Sequence, residues 1–193
     1  MLLAAAVISL SVYKTPTMDE PTAAHFTSAM TAQGVGAEAM ASARALLFDA
    51  LGPGGGRGAR THKCLSFEIT IANPDRFQCR PFHLSIDGLS LAVVEGTLCP
   101  RDGAWTEGRG VGMISSTPLD LRWRDASLKK GAGLYNEPDV RSFLGSYEWP
   151  ESRIEVSGYY YREALTFAHI RLPNGDDRYV LKDDVMAEPA RSK

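Results

Sequence analysis

Residues 64–71 read Cys-Leu-Ser-Phe-Glu-Ile-Thr-Ile, with an apolar side chain at every second position from Leu65 to Ile71. Successive side chains of a β-strand point to opposite sides of a sheet, so this alternation predicts a strand with one buried face. Strand-like segments follow at 77–86, 89–98 and 104–106. Asp87-Gly88 is a tight-turn dipeptide between two of these segments. The middle of the chain is therefore predicted to be an antiparallel β-meander.

A second group of short strand-like segments lies between Trp123 and Val185. The segments are 128–134, 143–147, 153–160, 166–172 and 178–181. Five short strands within about 60 residues are typical of a small β-barrel. Together with the meander, they predict a mainly β protein.

Two helices are predicted before the strands. Asp19-Glu20-Pro21 places acidic residues and a proline where a first helical turn favours them, and this helix extends to Gln33. Residues 37–51 have apolar side chains at helical spacing, and the glycine-rich segment 52–58 then predicts a flexible hinge. The predicted organisation is a signal-like or anchor segment with a linker at 1–18, a helical segment with a hinge at 19–58, a meander at 61–110 and a barrel at 120–187.

The first thirteen residues form an apolar stretch with the length of a signal-peptide core, too short to span a bilayer. No basic residue precedes the stretch and no small-x-small cleavage site follows it. A secretory signal, a membrane anchor and a buried N-terminal strand therefore all stay open. No run of 18 apolar residues exists that would predict a membrane-spanning helix.

The overall charge excludes one class of function, and the absence of familiar motifs disfavours another. The chain has 21 basic and 23 acidic side chains, a net charge of −2, so a sequence-wide basic field for nucleic acid is excluded. The sequence contains neither Gly-x-Ser-x-Gly nor His-Glu-x-x-His. Cys64 with His62 nearby is the one candidate for a nucleophile, and it lacks a family signature. A protein without catalytic activity and without a cofactor is therefore expected.

Residues 76–106 carry a set of motifs around the predicted hairpin. Cys79-Arg-Pro-Phe is followed by the hairpin, then by Gly-Thr-Leu-Cys99 and by Asp-Gly-Ala-Trp105. This stretch resembles the C-terminal domain of the rickettsial-type surface antigen family of outer-membrane lipoproteins. The resemblance implies a secreted or periplasmic setting and a disulfide between Cys79 and Cys99.

The three cysteines allow at most one internal pair, and a pair favours an oxidising compartment. Cys79 lies eight residues before Asp87, whereas Cys99 lies eleven residues after Gly88. A tight turn at Asp87-Gly88 would not place the two cysteines opposite each other. Their pairing therefore requires a bulge or a register offset of about three residues.

Residues 123–186 resemble bacterial SH3-like domains. The motifs are Leu134-Tyr-x-x-Pro138, then Asn174-Gly175, then the segment 178–185 with its paired aspartates. The resemblance implies an SH3-like barrel with a short helical turn near its end. Such domains bind cell-wall peptides or partner proteins. The sequence therefore predicts a non-catalytic, exported protein of the periplasm or cell envelope that binds a cell-wall component or an envelope protein, with membrane anchoring through its N-terminal segment left open.

Aromatic residues are concentrated in the predicted barrel. They are Tyr135, Tyr147, Trp149, Tyr159, Tyr160, Tyr161 and Tyr179. A groove of Tyr and Trp rings would suit a peptide or a glycan, and Tyr135, Trp149 and Tyr179 are the predicted binding residues. The alternative is that the rings only fill or rim the barrel. Within one strand, Tyr159 and Tyr161 share a face and Tyr160 takes the other, so the three cannot line one groove.

A metal site is the alternative for the region of the meander. His62, Cys64, Cys79 and His83 provide two imidazoles and two thiolates, which are ligands that suit tetrahedral zinc. This alternative predicts an intracellular interaction protein stabilised by zinc. It excludes the Cys79–Cys99 disulfide, because one sulfur cannot serve both.

Overall fold

The computed structural model describes residues 17–52, 56–88, 91–108, 112–119, 121–149 and 152–187. The predicted signal-like or anchor stretch at 1–13 lies outside the described residues. The described chain is mainly β, with two N-terminal helices and an antiparallel sheet, which confirms the predicted fold class. No helix in this part of the chain is long and apolar enough to cross a membrane.

Both predicted helices are confirmed. Helix α1 (Glu20–Ala32) begins after Asp19, whose carboxylate accepts a hydrogen bond of 3.1 Å from the Thr22 amide. Gly34 follows α1 with a φ of 76°, a conformation that glycine adopts without strain. Helix α2 (Ala37–Leu51) then begins.

Thirteen strands are present within the described residues. They are β1 (Arg57–His62), β2 (Leu65–Ile71), β3 (Arg80–Asp87), β4 (Ala92–Arg101), β5 (Ala104–Glu107), β6 (Ser115–Pro118), β7 (Arg124–Leu128), β8 (Gly133–Tyr135), β9 (Phe143–Ser146), β10 (Ser152–Arg162), β11 (Leu165–Arg171), β12 (Asp177–Leu181) and β13 (Val185–Ala187). Single turns of 3₁₀ helix occupy Val140–Ser142 and Lys182–Asp184.

The strands form one antiparallel sheet in the order β1-β2-β3-β4-β6-β10-β11-β12-β8-β9. Strand β5 pairs with β4, and β7 pairs with both β10 and β13. Within the described residues the sheet does not close on itself. The antiparallel meander is therefore present, but the predicted SH3-like barrel is not confirmed as a closed barrel.

Three local predictions differ from the structure. The predicted strand at 128–134 is wrong, because β7 ends at Leu128 and a turn with Gly131 at a φ of 83° precedes β8. Strand β1 begins at Arg57, inside the predicted hinge, of which residues 53–55 lie outside the described residues. Strand β6 was not predicted. Both β1 and β6 lack apolar alternation, so only their pairing with neighbouring strands makes them strands.

The hairpin of β3 and β4 places two cysteines opposite each other. The register runs without a shift from Ile86 opposite Ala92 to Arg80 opposite Leu98, so the next pair outward is Cys79 and Cys99. These cysteines form a disulfide, with Cα atoms 4.0 Å apart. The predicted tight turn at Asp87-Gly88 and the expected offset are wrong, because β3 continues through Asp87 and the connection follows it, so the cysteines face each other without a bulge. The disulfide is compatible with an oxidising, exported location.

Two apolar cores lie on the same side of the sheet. The first contains the inner faces of α1 and α2 with residues of β2, β3 and β4, among them Phe26, Phe67 and Leu84. The second contains residues of β7, β10, β11 and β12. Strand β10 contributes Tyr161 to the first core and Ile154 to the second. The opposite side of the sheet is therefore one outer face shared by both regions.

Side chains that alternate with the first core form the outer face of β2, β3 and β4. We call this surface the polar half, and it consists of Ser66, Glu68, Thr70, His83, Ser85 and Glu95. Thr70 lies opposite His83, and His83 lies opposite Glu95, so the row crosses three strands. Val93, opposite Ser85 and 7% exposed, is an apolar exception on this side; otherwise these strands follow the usual pattern of antiparallel sheets, with apolar residues inside and polar residues outside.

Candidate functional site

The outer face changes character where the sheet passes into β10, β11, β12, β8 and β9. Directly opposed residues of neighbouring strands project to the same side, and opposed pairs here join aromatic to aromatic. We call this surface the aromatic face, and it consists of Tyr135, Phe143, Tyr160, Phe167, His169 and Tyr179. Tyr179 is the centre of the pairing, since it lies opposite both His169 and Tyr135.

The rings of the aromatic face contact one another in two groups of three, which neighbour each other through the opposed pairs Tyr135–Tyr179 and Tyr160–Phe167. The His169 ring stacks on Tyr179 with centroids 4.9 Å apart, and Tyr160 meets Tyr179 edge to face at 5.3 Å. Tyr135 contacts Phe167 at 5.5 Å and Phe143 at 5.6 Å. These separations are the range in which aromatic pairs attract each other. The layer is therefore a preorganised apolar surface.

Exposure varies across the layer. Phe167 is 1% exposed and lies beneath its neighbours, whereas Phe143 is 55% exposed at the β9 side. Tyr135, Tyr160, His169 and Tyr179 are each partly exposed. Five of the six rings are therefore accessible to solvent in part, and the buried Phe167 ring forms the floor of the face.

Trp123 borders the aromatic face at the end where β11 finishes. Its ring lies 5.3 Å from the His169 ring, and the Arg171 guanidinium lies over it at 3.9 Å from the centroid. The same guanidinium donates from Nε to Asp177 Oδ1 at 2.9 Å. This hydrogen bond raises the pKa of Arg171 and lowers the pKa of Asp177. Arg171 is thus held as a cation against the indole, which fixes Trp123 beside the face.

Two tyrosine hydroxyls of the face, those of Tyr160 and Tyr179, stay protonated. Burial, together with the neighbouring Tyr179, raises the pKa of Tyr160 to about 12. Burial also raises the pKa of Tyr179. Both hydroxyls are therefore neutral near pH 7, where they can donate and accept hydrogen bonds but cannot act as bases.

His169 is held at its Nδ1 atom by a serine from the adjacent strand. Ser157 Oγ lies 2.6 Å from His169 Nδ1, and Ser157 occupies the bulge between Val156 and Gly158. Burial lowers the pKa of His169, which favours the neutral imidazole. Ser157 is only 7% exposed, so this hydroxyl fixes the ring and the bulge and is poorly placed to reach a substrate.

The structure brings together two of the three predicted binding residues. Tyr135 and Tyr179 lie directly opposite each other on neighbouring strands. Trp149 does not join them: it is 66% exposed, and its ring lies 5.4 Å from Tyr147, which belongs to the second core.

The prediction that Tyr160 faces away from Tyr159 and Tyr161 is confirmed. Tyr160 belongs to the aromatic face, whereas Tyr161 is buried in the first core and Tyr159 packs against the second. Sequence reasoning missed Trp123, Phe143, Phe167 and His169. Alternation in β11 was the available signal, because Phe167 and His169 are two residues apart and so share a side.

The predicted zinc ligands do not assemble. Cys79 is bonded to Cys99, Cys64 is exposed and free, and His83 lies 3.5 Å from Glu95 on the polar half. His62 instead lies beside Ser42, with a distance of 3.3 Å between its Nδ1 and the hydroxyl oxygen. No group of three or more metal-ligating side chains occurs in the part of the chain that the structure describes. The zinc alternative is therefore wrong.

Comparisons with protein-family models, with curated proteins and with solved structures found no match to this chain. The functional inference therefore rests on the geometry of the aromatic face and on the motifs of the sequence. The aromatic face is also the place where this sheet departs furthest from an ordinary solvent-exposed sheet surface.

Proposed function

We propose that this chain is a non-catalytic, exported protein of the cell envelope whose aromatic face binds a segment of a partner protein. The observation that carries the proposal is the set of six rings on the outer side of the sheet, in two contacting groups of three that lie on directly opposed strand positions. Contiguous exposed apolar surface is costly in water, and large patches of it mark interaction sites in soluble proteins. Rigid rings also lose little conformational entropy on binding.

The groups around the face support binding rather than catalysis. A serine nucleophile needs an exposed hydroxyl, a histidine base and a third group that orients the histidine. Ser157 is almost fully buried, and the nearby carboxylate of Asp177 accepts hydrogen bonds from Arg171 instead of from His169. The Tyr160 hydroxyl, with its pKa of about 12, cannot serve as a base near neutral pH.

A protein segment fits this surface better than a glycan does. Glycan binding needs hydrogen-bonding side chains that are available beside the rings. Here two flanking arginines are already engaged with carboxylates, since Arg171 bonds to Asp177, and Arg141 donates from Nε to Asp139 Oδ1 at 2.9 Å. What the surface offers a ligand is mainly apolar ring area, with hydroxyls at Tyr160 and Tyr179, and this favours apolar side chains of a peptide.

Three further features support the cell-envelope setting and the SH3-like resemblance. The Cys79–Cys99 disulfide is compatible with an oxidising, exported location. The motifs around that hairpin resemble a family of surface antigens. The 3₁₀ turn Lys182–Asp184 lies between β12 and β13, where the SH3-like resemblance implies a short helical turn.

The test is capture from a detergent extract of the cell envelope on the immobilised full chain, followed by reconstitution. Proteins retained by the wild type are identified by mass spectrometry, purified and titrated against the chain by calorimetry. The variant Phe143→Ser changes an exposed ring without opening the core, and the Tyr135→Ala, Tyr179→Ala double variant removes the centre of the face. Each is expected to weaken binding of the purified partner at least about tenfold.

The matched control is Thr70→Ala on the polar half, which should leave the affinity unchanged. Purified peptidoglycan sacculi are assayed in parallel. Retention on sacculi that Phe143→Ser abolishes, with no protein bound, would replace the protein partner by a cell-wall component. Equal binding by the wild type and both variants would refute a role for the aromatic face.

A further inference from the structure

The loop between β2 and β3 holds an aromatic ring in solvent. Phe77 is 66% exposed, and every residue of the loop from 72 to 78 is exposed. Asp75 Oδ1 accepts hydrogen bonds from the amides of Phe77 at 2.8 Å and Cys79 at 2.9 Å. The disulfide then ties Cys79 to β4. The loop is therefore constrained at both its turn and its end, and no other described side chain covers the ring.

Arginines lie around this ring. The Arg76 guanidinium lies 4.7 Å from the centroid of the Phe77 ring. Arg101 lies two residues beyond the disulfide in β4, and Phe77 lies two residues before it in the loop. Arg57 begins β1 where β2 ends. We call this part of the molecule the disulfide end, and it consists of residues 56–57, 72–80 and 100–104.

The disulfide end is basic, although the whole chain has a net charge of −2. Its segments contain the four arginines Arg57, Arg76, Arg80 and Arg101 and the two aspartates Asp75 and Asp102. Arg80 is partly buried and donates to the Leu51 carbonyl, whereas the other three arginines are exposed. Asp102 lies 3.8 Å from Arg101, and Asp75 is engaged by the loop amides. The end therefore presents a net positive charge beside an exposed ring.

The described chain also begins at the disulfide end. Met18 pairs with Trp105 in a parallel bridge, and the Trp105 amide donates to the Thr17 carbonyl at 2.8 Å. Thr17 therefore lies toward the turn at 102–103. In the sequence, only Lys14-Thr-Pro separates the apolar stretch 1–13 from Thr17. Four residue steps span at most about 14 Å, so in the full chain the covalent backbone keeps the end of the apolar stretch within that distance of Thr17.

We propose that the disulfide end docks on the headgroups of an anionic phospholipid membrane, with the Phe77 ring inserted among them. Arginines near an anionic surface and buried apolar area both favour such a contact. The apolar stretch within reach of the same end is what selects a membrane over an acidic protein. That stretch is too short to span a bilayer, and weak membrane attachments become stable when two act together.

Co-sedimentation of the full chain with lipid vesicles tests the proposal. Vesicles of phosphatidylcholine with about 30% phosphatidylglycerol are compared with vesicles of phosphatidylcholine alone. The chain should bind the anionic vesicles at least about tenfold more tightly, and raising NaCl from about 50 mM to about 500 mM should remove most of this difference. The Arg76→Gln, Arg101→Gln double variant should lower the partition coefficient on anionic vesicles at least about tenfold. Phe77→Ser should lower it at least about threefold.

Two matched controls remove similar groups from other strands. Trp149→Ser removes a ring that is also 66% exposed. The Arg124→Gln, Arg162→Gln double variant removes two exposed charges from β7 and β10. Both controls should leave the partition coefficient unchanged. Circular dichroism of every variant verifies that the fold is retained.

A dye shows which end of the strands meets the membrane. Cys64 is an exposed free thiol in the turn between β1 and β2, at the end of these strands away from the disulfide. The emission of an environment-sensitive dye on Cys64 should stay constant when anionic vesicles are added. The same dye on Asn73→Cys, in a Cys64→Ser background, should shift to the blue.

Four results would each overturn the proposal. They are the absence of binding to anionic vesicles, equal binding to both kinds of vesicle, equal binding by the wild type and the double arginine variant at 76 and 101, and a dye shift at Cys64 but not at residue 73. None of the substituted residues belongs to the aromatic face, so these results are independent of the test of partner binding.

Discussion

The polar half and the aromatic face belong to one side of one sheet, yet they have opposite surfaces. In the polar half, Thr70 lies opposite His83 and His83 opposite Glu95, and all three are exposed. In the aromatic face, Tyr135 lies opposite Tyr179 and Tyr179 opposite His169. Both regions bury an apolar core on the other side. Packing of the inner core therefore does not account for the outer rings, and the contrast supports the proposal that they bind a partner.

The two regions also differ in what holds them together. The first has two helices packed on its sheet and a disulfide across β3 and β4. In the second, the sheet packs on a smaller core of nine buried residues within the described chain, and its outer rings add to the packing. We expect the outer rings of the second region to contribute to stability as well as to binding, whereas the polar half should contribute little.

The largest effect on the free energy of unfolding is expected from truncating Phe167, the buried ring beneath the aromatic face. Phe167→Ala removes a ring that is 1% exposed, and it should lower the free energy of unfolding by about 3–5 kcal/mol. Thr70→Ala on the polar half should change it by less than about 0.5 kcal/mol. Urea unfolding followed by circular dichroism measures both. Similar losses in the two variants would mean that the halves do not differ energetically.

The disulfide gives the next largest effect, on the first region. Replacing Cys79 and Cys99 together by serine should lower the free energy of unfolding by about 3 kcal/mol, because the bridge restricts a loop with a sequence separation of 20 residues. Reduction with dithiothreitol should reproduce the loss in the wild type. The Cys64→Ser variant is the control and should unfold like the wild type. If the reduced protein were as stable as the oxidised one, the first region would be held by its helices and core without help from the disulfide.

A smaller effect on stability is expected from a change of pH, through protonation of His169. Burial holds the pKa of His169 below its ordinary value of about 6.5, so in acid the unfolded chain takes up a proton before the native chain does. His169 should therefore make the protein less stable as the pH falls below about 6.5, and the loss should level off once the native imidazole also protonates. His169→Gln should reduce this slope. Thr70→Ala, which removes no titratable group and lies on the polar half, is the comparison and should not reduce it.

The smallest effect is expected at the rim of the aromatic face. Arg171→Lys keeps the charge but loses the planar stacking on Trp123, and it should cost about 0.5–1 kcal/mol. The Trp123 emission should also shift toward that of a solvent-exposed indole. Arg178→Lys, whose parent side chain pairs with Asp176, is the matched control and should leave the emission unchanged. An unaltered spectrum in Arg171→Lys would show that Trp123 does not depend on Arg171.

Local sequence signals were sufficient where a segment's structure depends on its own residues. Asp19 and Pro21 marked the start of α1, and the alternation from Leu65 to Ile71 marked β2. They failed for β1 and β6, which lack apolar alternation and form by pairing with neighbours. Local signals also failed to predict whether the barrel closes, because closure of a sheet depends on contacts between strands that are distant in sequence.

The site shows the same division. Tyr135 and Tyr179 were found because aromatic residues are scarce enough to be noticed in the sequence. Trp149 was grouped with them for the same reason, but its ring lies against Tyr147 instead. Phe167 and His169 were missed, because an isolated phenylalanine or histidine in a strand reads as an ordinary core or surface residue.

The sequence by itself determined the two helices, the mainly β character and the presence of two cysteines flanking one hairpin. The tertiary structure decided which aromatic residues share a surface. The bulge at Ser157 is the clearest physical reason: Ile154 and Val156 point to the inner side before it, and Tyr159 and Tyr161 do so after it. One inserted residue reverses the alternation, so the side of every later residue in β10, including Tyr160, depends on pairing with β11 rather than on the local sequence.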